Sequence, residues 1–118
     1  MSTKEVAGHL VKMCRDGKVE ETKLELFTQD TLSIEPAEGI LPKETKGLEA
    51  IQKKAELFIS MVDQFYGSTI TGPVVAGDYF SVGWDTDIQM KGQQRQTMSE
   101  ICLYKVKDGK IVSEQFFY

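Results

Sequence analysis

Residues 79–90 read Tyr79-Phe80-Ser81-Val82-Gly83-Trp84-Asp85-Thr86-Asp87-Ile88-Gln89-Met90. The even positions of this segment are mostly apolar, and the odd positions are mostly small or polar. A period of two predicts a β-strand with one face towards a core. Turns at residues 91–93 and 107–110 contain glycine, which supplies the positive φ of a tight hairpin. The second half therefore predicts an antiparallel meander, with strands over residues 68–75, 79–90, 94–107 and 111–118.

The first half predicts helices. Apolar residues three or four positions apart, at Val6, Leu10 and Cys14, predict a helix over residues 3–15. A second, shorter helix is predicted over residues 19–28.

A short strand at residues 31–35 and a loop at residues 37–46 are predicted next, and the loop is long enough to cover a pocket mouth. The longest helix is predicted over residues 47–66, with an apolar stripe towards the sheet and Lys54 facing water. Together these elements predict an α+β fold: three N-terminal helices packed on a strongly curved, mainly antiparallel sheet, as a single domain over residues 1–118.

Composition excludes several classes of function. The 118 residues carry a net charge of −4 and include one histidine and two cysteines. An acidic chain offers no basic surface to nucleic acid. Neither a long apolar run nor a signal-peptide core is visible, so we expect no membrane association and a cytoplasmic location. Without metal-ligand spacings or a glycine-rich phosphate loop, we expect neither a metal nor a cofactor.

The second face of the meander also carries apolar residues. They are Ile101, Leu103, Ile111 and Phe117. Helices can cover only one face of so short a sheet, so these residues predict the interface of a two-fold homodimer. Scattered exposed apolar side chains are the alternative.

Several segments resemble the SnoaL-like polyketide cyclase and ketosteroid isomerase superfamily, which has the nuclear transport factor 2-like, or cystatin-like, fold. They are the helix end at residues 26–30, the strand end at residues 34–36, the helix start at residues 46–51 and the ending at residues 103–112. The resemblance implies a cone-shaped sheet wrapped on three helices, with a pocket on its concave face and frequent dimers through its convex face. The superfamily includes isomerases, cyclases, dehydratases, epoxide hydrolases and proteins without catalysis.

The resemblance also implies roles for particular residues. Glu35 falls where ketosteroid isomerases keep the carboxylate base that moves a proton between carbons. The two oxyanion donors of those enzymes fall approximately on Leu10 and Cys102. Leucine cannot donate a hydrogen bond and a thiol donates weakly, so this chain departs from the isomerase pattern.

The even positions of the sheet predict the lining of the pocket. Its members would be Phe58 and Val62 from the long helix, and Trp84, Thr86, Ile88, Cys102, Tyr104, Phe116 and Tyr118 from the strands. Trp84 and Tyr118 would form an aromatic wall, or would simply fill the core. A small apolar or aromatic molecule is the expected ligand.

Glu100 and Glu114 fall on the same face as the pocket, on neighbouring strands. Two close carboxyl groups raise one pKa, which would make a general acid and a general base. Glu35, Glu100 and Glu114 are therefore the candidate catalytic residues. The alternative places the acids in water or in salt bridges with Lys105, Lys110 or Arg95.

Two functions follow from this pattern. The first is a small-molecule pocket protein that acts as an acid/base isomerase, cyclase or dehydratase on an apolar organic substrate. The second is a non-catalytic protein of the same fold that binds a metabolite or another protein. The number of acids inside the cavity that lack a partner would separate them.

Overall fold

The computed structural model describes all residues, 1–118, as an α+β domain of three helices and six strands. The helices are α1 (Thr3–Arg15), α2 (Val19–Leu26) and α3 (Leu48–Ser60). The strands are β1 (Phe27–Ile34), β2 (Glu44–Lys46), β3 (Val62–Ala76), β4 (Tyr79–Met90), β5 (Arg95–Lys107) and β6 (Lys110–Phe117). None of the helices is long and apolar enough to span a membrane.

The strands form one curled, unclosed sheet in the order β2-β1-β6-β5-β4-β3. Only β1 and β6 run parallel, and every other neighbouring pair is antiparallel. The predicted fold class is confirmed: α1 packs on β3, β4 and β5, whereas α3 packs on β1 and β2. The three helices thus cover one face of the sheet.

Helix α1 has the bounds that its apolar spacing predicts. At its start, the Ser2 hydroxyl accepts a hydrogen bond from the Glu5 amide, and the Glu5 carboxylate accepts one from the Ser2 amide. This reciprocal cap satisfies two otherwise unpaired amides of the first turn. Val6, Leu10 and Cys14 are buried against the sheet as predicted.

Strand β4 also has its predicted bounds, and its even residues face the helices. Across the ladder, Trp84 pairs with Glu100 and Phe80 with Tyr104. The Phe80 and Tyr104 rings stack with centroids 4.8 Å apart. Cross-strand pairs share a face of the sheet, so this register places Glu100 on the helix-covered side.

Several predicted boundaries are wrong. Helix α3 ends at Ser60, and residues 62–66 begin β3, because Val62 pairs with Met90 across the sheet. Val62 and Phe65 fit a helical stripe and a strand equally well, and pairing with β4 decides between them. Helix α2 ends at Leu26, and the predicted loop at residues 37–46 contains the short strand β2.

Ile111 lies in the core with an exposed fraction of 0%, and not on the outer face of the sheet. The cause is a bulge in β6. Lys105 pairs with Ser113, but the next residue, Val106, pairs with Ile111, which leaves Val112 as an extra residue. An extra residue reverses the alternation of side chains, so Ile111 and Glu114 face the same way although one number is odd and the other even.

Candidate functional site

A cavity of about 960 Å³ lies between the three helices and the inner face of the sheet. Its lining includes Phe58, Val62, Trp84, Thr86, Ile88, Tyr104, Phe116 and Tyr118, together with Glu35, Glu100 and Glu114. Cys102 is the one predicted pocket residue outside this lining. Its side chain is fully buried in the core, where the Sγ atom lies 3.7 Å from Glu100 Oε1.

Glu35 follows β1 directly and has a partner for each carboxylate oxygen. Lys54 Nζ donates to Oε2 at 2.9 Å, and the Tyr118 hydroxyl donates to Oε1 at 2.6 Å. The side chains of Lys54 and Glu35 are only 9% and 7% exposed. This is a buried ion pair, which is costly to break from one side only. The alternative of a solvated strand end does not describe Glu35.

The prediction that Lys54 faces water is wrong. On α3 it lies three residues after the buried Ile51 and four before Phe58, so it belongs to the inward stripe. That spacing was the signal available in the sequence. Besides binding Glu35, its Nζ atom donates to Ser33 Oγ at 2.6 Å and lies 5.3 Å from the Phe116 ring centroid.

Glu114 is buried on β6 and accepts a hydrogen bond from Ser33 Oγ at 2.7 Å. Burial raises the pKa of Glu114, and the Ser33 hydrogen bond partly opposes that shift. Ser33 accepts a hydrogen bond from Lys54 and donates one to Glu114. The result is a continuous hydrogen-bonded chain, Tyr118–Glu35–Lys54–Ser33–Glu114, which we call the buried relay.

Glu100 stands outside the buried relay. Burial in the cavity wall raises the pKa of Glu100 to about 7, and the negative charge of Glu35 adds to the shift. A weak contact with the Cys102 thiol is its one side-chain hydrogen bond, and it takes part in no salt bridge. Glu100 is therefore a carboxyl group without a cationic partner, facing a cavity, whose pKa lies well above that of an ordinary glutamate.

The expected pairing of Glu100 with Glu114 takes a different form. Glu114 lies opposite Tyr104, four residues along β5 from Glu100. The pair of Cys102 with Phe116 therefore lies between the two acids. The charge of Glu35 and the charge of Glu114 both raise the pKa of Glu100, and the contribution of Glu35 is the larger one.

None of the alternative salt bridges forms. Arg95 binds Asp87 at 2.7 Å, Lys110 donates to the Glu25 carbonyl at 2.7 Å, and Lys105 lies over the Tyr79 ring. No group of three or more His, Cys, Asp or Glu side chains is arranged to hold a metal ion.

Comparison with known families decides the identity of the domain. The family model of the SnoaL-like domain matches residues 1–118. The chain belongs to the SnoaL-like family. A provisionally named SnoaL-like polyketide cyclase from Mesorhizobium loti is 31% identical, with a TM-score of 0.93 and coverage of 100% of both chains. Comparison with curated protein sequences finds no significant match.

Two more distant structures share the fold of this SnoaL-like chain. TerC, crystallised with polyporic acid, is 16% identical, with a TM-score of 0.80 over 98% of this chain and 90% of its own. A ketosteroid isomerase-like protein from Catenulispora acidiphila, in complex with trimethylamine, is 21% identical, with a TM-score of 0.72 over 95% of this chain and 84% of its own. At these identities the likeness shows the fold alone.

The SnoaL-like domain differs from the isomerase pattern in its hydrogen-bond donors. Leu10 and Cys102, which the sequence resemblance places approximately at the oxyanion-donor positions, are buried in the core. A hydroxyl from Tyr118 and an ammonium group from Lys54 are among the hydrogen-bond donors of this cavity.

The outer face of the SnoaL-like sheet holds three of the four residues predicted for an interface. Ile101 and Phe117 are register partners on β5 and β6, and they are 55% and 47% exposed. Leu103 is half-buried beside them. Ile111, on the inner side, cannot contribute to this face.

Proposed function

We propose that this domain is a cofactor-independent acid/base enzyme that moves a proton on an apolar organic carbonyl compound, as an isomerase, cyclase or dehydratase does. The observation that carries the proposal is Glu100, a carboxyl group without a cationic partner in the wall of a 960 Å³ cavity whose lining is mainly hydrophobic. A pKa of about 7 is near the optimum for a group that must both accept and donate a proton at neutral pH.

In the proposed reaction, the Glu100 carboxylate removes a proton from a carbon next to the carbonyl group. The electrons of that C–H bond form a C=C bond, and the carbonyl electrons move onto oxygen. The Glu100 carboxylic acid then returns the proton to another atom of the same molecule, so no oxidant or reductant is needed. The Lys54 ammonium has a third N–H beyond those that it donates to Glu35 and Ser33, and this N–H is available to stabilise the negative oxygen.

The buried relay favours a positioning role, and not a proton-transfer role, for Glu35 and Glu114. Both acids already accept hydrogen bonds from neighbouring side chains. In Glu35, the Lys54 ammonium and the Tyr118 hydroxyl occupy both carboxylate oxygens, which leaves neither oxygen free to face a substrate.

Deuterium exchange tests the proposal. In D2O, the wild-type protein should speed exchange at the carbons next to the carbonyl of 2-tetralone, followed by proton NMR. Glu100→Gln should lower this rate by roughly 10² to 10⁴. Glu49→Gln is the matched control, because the Glu49 side chain is 86% exposed on the far surface of α3. Equal rates in Glu100→Gln and the wild type would refute the role of Glu100.

A non-catalytic binding protein is the second candidate. Its support is that two of the three cavity acids already have hydrogen-bond partners, which leaves a single reactive carboxyl group. Binding of aromatic ketones without any deuterium exchange above buffer would favour this candidate.

We also propose that a second copy of the chain covers the outer face at Ile101, Leu103 and Phe117. Half-exposed apolar side chains on adjacent strands support this assembly. Ile101→Asp should convert a dimer into a monomer in sedimentation, because the new carboxylate would lose water without gaining a partner. A wild-type monomer at micromolar concentration would refute it.

A further inference from the structure

The basic side chains that line the cavity are already bound to other groups. Arg15 donates to a backbone carbonyl at 2.7 Å, Lys23 lies 3.2 Å from a glutamate of its own helix, and Lys54 lies 2.9 Å from Glu35. None of these contacts involves Glu100. The ionised form of Glu100 thus has a negative charge that no cation of the chain neutralises by direct contact.

Aromatic rings line the same cavity as this acid. Trp84 is the cross-strand partner of Glu100, and both line the cavity together with Phe116 and Tyr118. The face of an aromatic ring attracts a cation, and tryptophan does so most strongly. Lys54 already uses the Phe116 ring in this way, at 5.3 Å, whereas no cation of the chain lies over Trp84.

We propose that the cavity binds compact organic ammonium ions, with Glu100 as the counter-ion and Trp84 as the aromatic wall. An ammonium group bound there replaces the missing cationic partner of Glu100, and its alkyl groups contact the apolar lining. The inference rests on the proposed function in using the same cavity and the same acid. Because the ammonium ion occupies the cavity and makes the Glu100 carboxylate a weaker base, such ligands also inhibit proton transfer by Glu100.

The binding is pH-dependent with a definite sign. The titratable and charged groups that face Glu100 are Glu35 after β1, Glu114 on β6, Cys102 on β5 and Lys54 on α3. The charge of Glu100 in turn helps to raise the pKa of Tyr118, which follows β6. Burial raises the pKa of Glu100 to about 7. A permanent cation favours the carboxylate, so affinity rises as the pH rises through that value. With only the ionised form competent to bind, affinity increases roughly 30-fold between pH 5.5 and pH 8.5.

Choline and 3,3-dimethylbutan-1-ol provide the test, because they share one shape and differ in charge. The chain has a single tryptophan, so the indole N–H signal of Trp84 in a proton–nitrogen NMR spectrum reports on the site without ambiguity. Choline should shift this signal at concentrations at least tenfold below those at which the alcohol does, with the stated pH dependence. Glu100→Gln should lose most of the preference for choline and its pH dependence, keeping only the cation–π contribution of Trp84, whereas the exposed Glu49→Gln control should behave as the wild type.

Equal affinity for the two compounds in the wild type, or a preference for choline that is undiminished in Glu100→Gln, would overturn the inference. The proposed function is judged separately, by deuterium exchange of 2-tetralone. If the protein binds choline in this way but catalyses no exchange, the binding inference stands and the enzyme proposal is refuted. If the protein catalyses exchange through Glu100 but does not distinguish choline from the alcohol, only the binding inference is refuted.

Discussion

Replacing Lys54 with methionine tests whether the buried relay stabilises the fold. The change keeps a long, flexible, apolar stem against Phe116 and removes only the ammonium group. Glu35, whose side chain is 7% exposed, then keeps the Tyr118 hydroxyl as its one side-chain partner. Ser33 loses one contact but still donates to Glu114.

The size of the effect follows from the burial of the pair. Removing one partner of a buried ion pair costs about 3 to 5 kcal/mol, because an uncompensated charge is left inside. That is a large fraction of the roughly 5 to 15 kcal/mol that stabilises a small domain. Lys53→Met is the matched control, because the Lys53 side chain is 74% exposed and pairs with the exposed Glu49. For this control we expect a loss below about 0.5 kcal/mol.

Urea denaturation at pH 7, followed by tryptophan fluorescence, measures both losses in free energy of unfolding. If Lys54→Met does not fold, the double variant Glu35→Gln with Lys54→Met should restore folding, since it removes the stranded charge. A loss in Lys54→Met no larger than that in Lys53→Met would refute the buried pair. So would a double variant that is less stable than Lys54→Met alone.

Three further predictions follow from burial and charge. Burial raises the pKa of Glu100 from its ordinary value of 4.5 to about 7. The folded state therefore holds this proton more tightly, and stability falls as the pH rises through that window. In urea denaturation, Glu100→Gln should match the wild type near pH 4.5 and have a free energy of unfolding about 2 to 3 kcal/mol higher than the wild type at pH 8. Phe58→Ala should cost only about 1 to 2 kcal/mol, below the roughly 3 to 5 kcal/mol of a fully buried phenylalanine, because Phe58 lines the cavity and is half-buried; a loss above about 3 kcal/mol would contradict this. Ile111→Ala should cost about 2 to 5 kcal/mol, because Ile111 is fully buried. Ile101→Ala should cost less than about 1 kcal/mol in the monomer, because the Ile101 side chain is half-exposed. A larger loss for Ile101→Ala than for Ile111→Ala in thermal unfolding would contradict the bulge in β6.

Local sequence patterns correctly predicted the elements whose hydrophobic periodicity fits only one type of secondary structure. Residues 79–90 alternate over their full length, and Ser2 with Glu5 forms a cap that local spacing alone creates. The sequence around the end of α3 is compatible with two structures, because Val62 and Phe65 suit both a helix and a strand. Pairing with β4, which lies later in the chain, decides the outcome, and a local pattern does not contain that pairing.

The candidate site divides in a similar way. The even face of the sheet brought Trp84, Glu100 and Glu114 to one cavity, as side-chain alternation predicts. The position of Lys54 on the inward stripe was also visible, but its charge suggested a surface residue. Only the folded chain shows that Glu35 comes within 2.9 Å of it, because the two residues lie on different elements.

The location of Lys54 gives the three acids different roles. Inside a mainly hydrophobic cavity, the Lys54 ammonium group binds Glu35 and reaches Glu114 through Ser33. Glu100 lies beyond these contacts, yet the negative charge of Glu35 adds to the effect of burial in raising its pKa to about 7. The ion pair therefore occupies Glu35 and leaves Glu100 without a cation of its own. Moving the positive charge towards Glu100 should lower the pKa of Glu100, which would make its carboxylate a weaker base for removing the substrate proton in the proposed reaction.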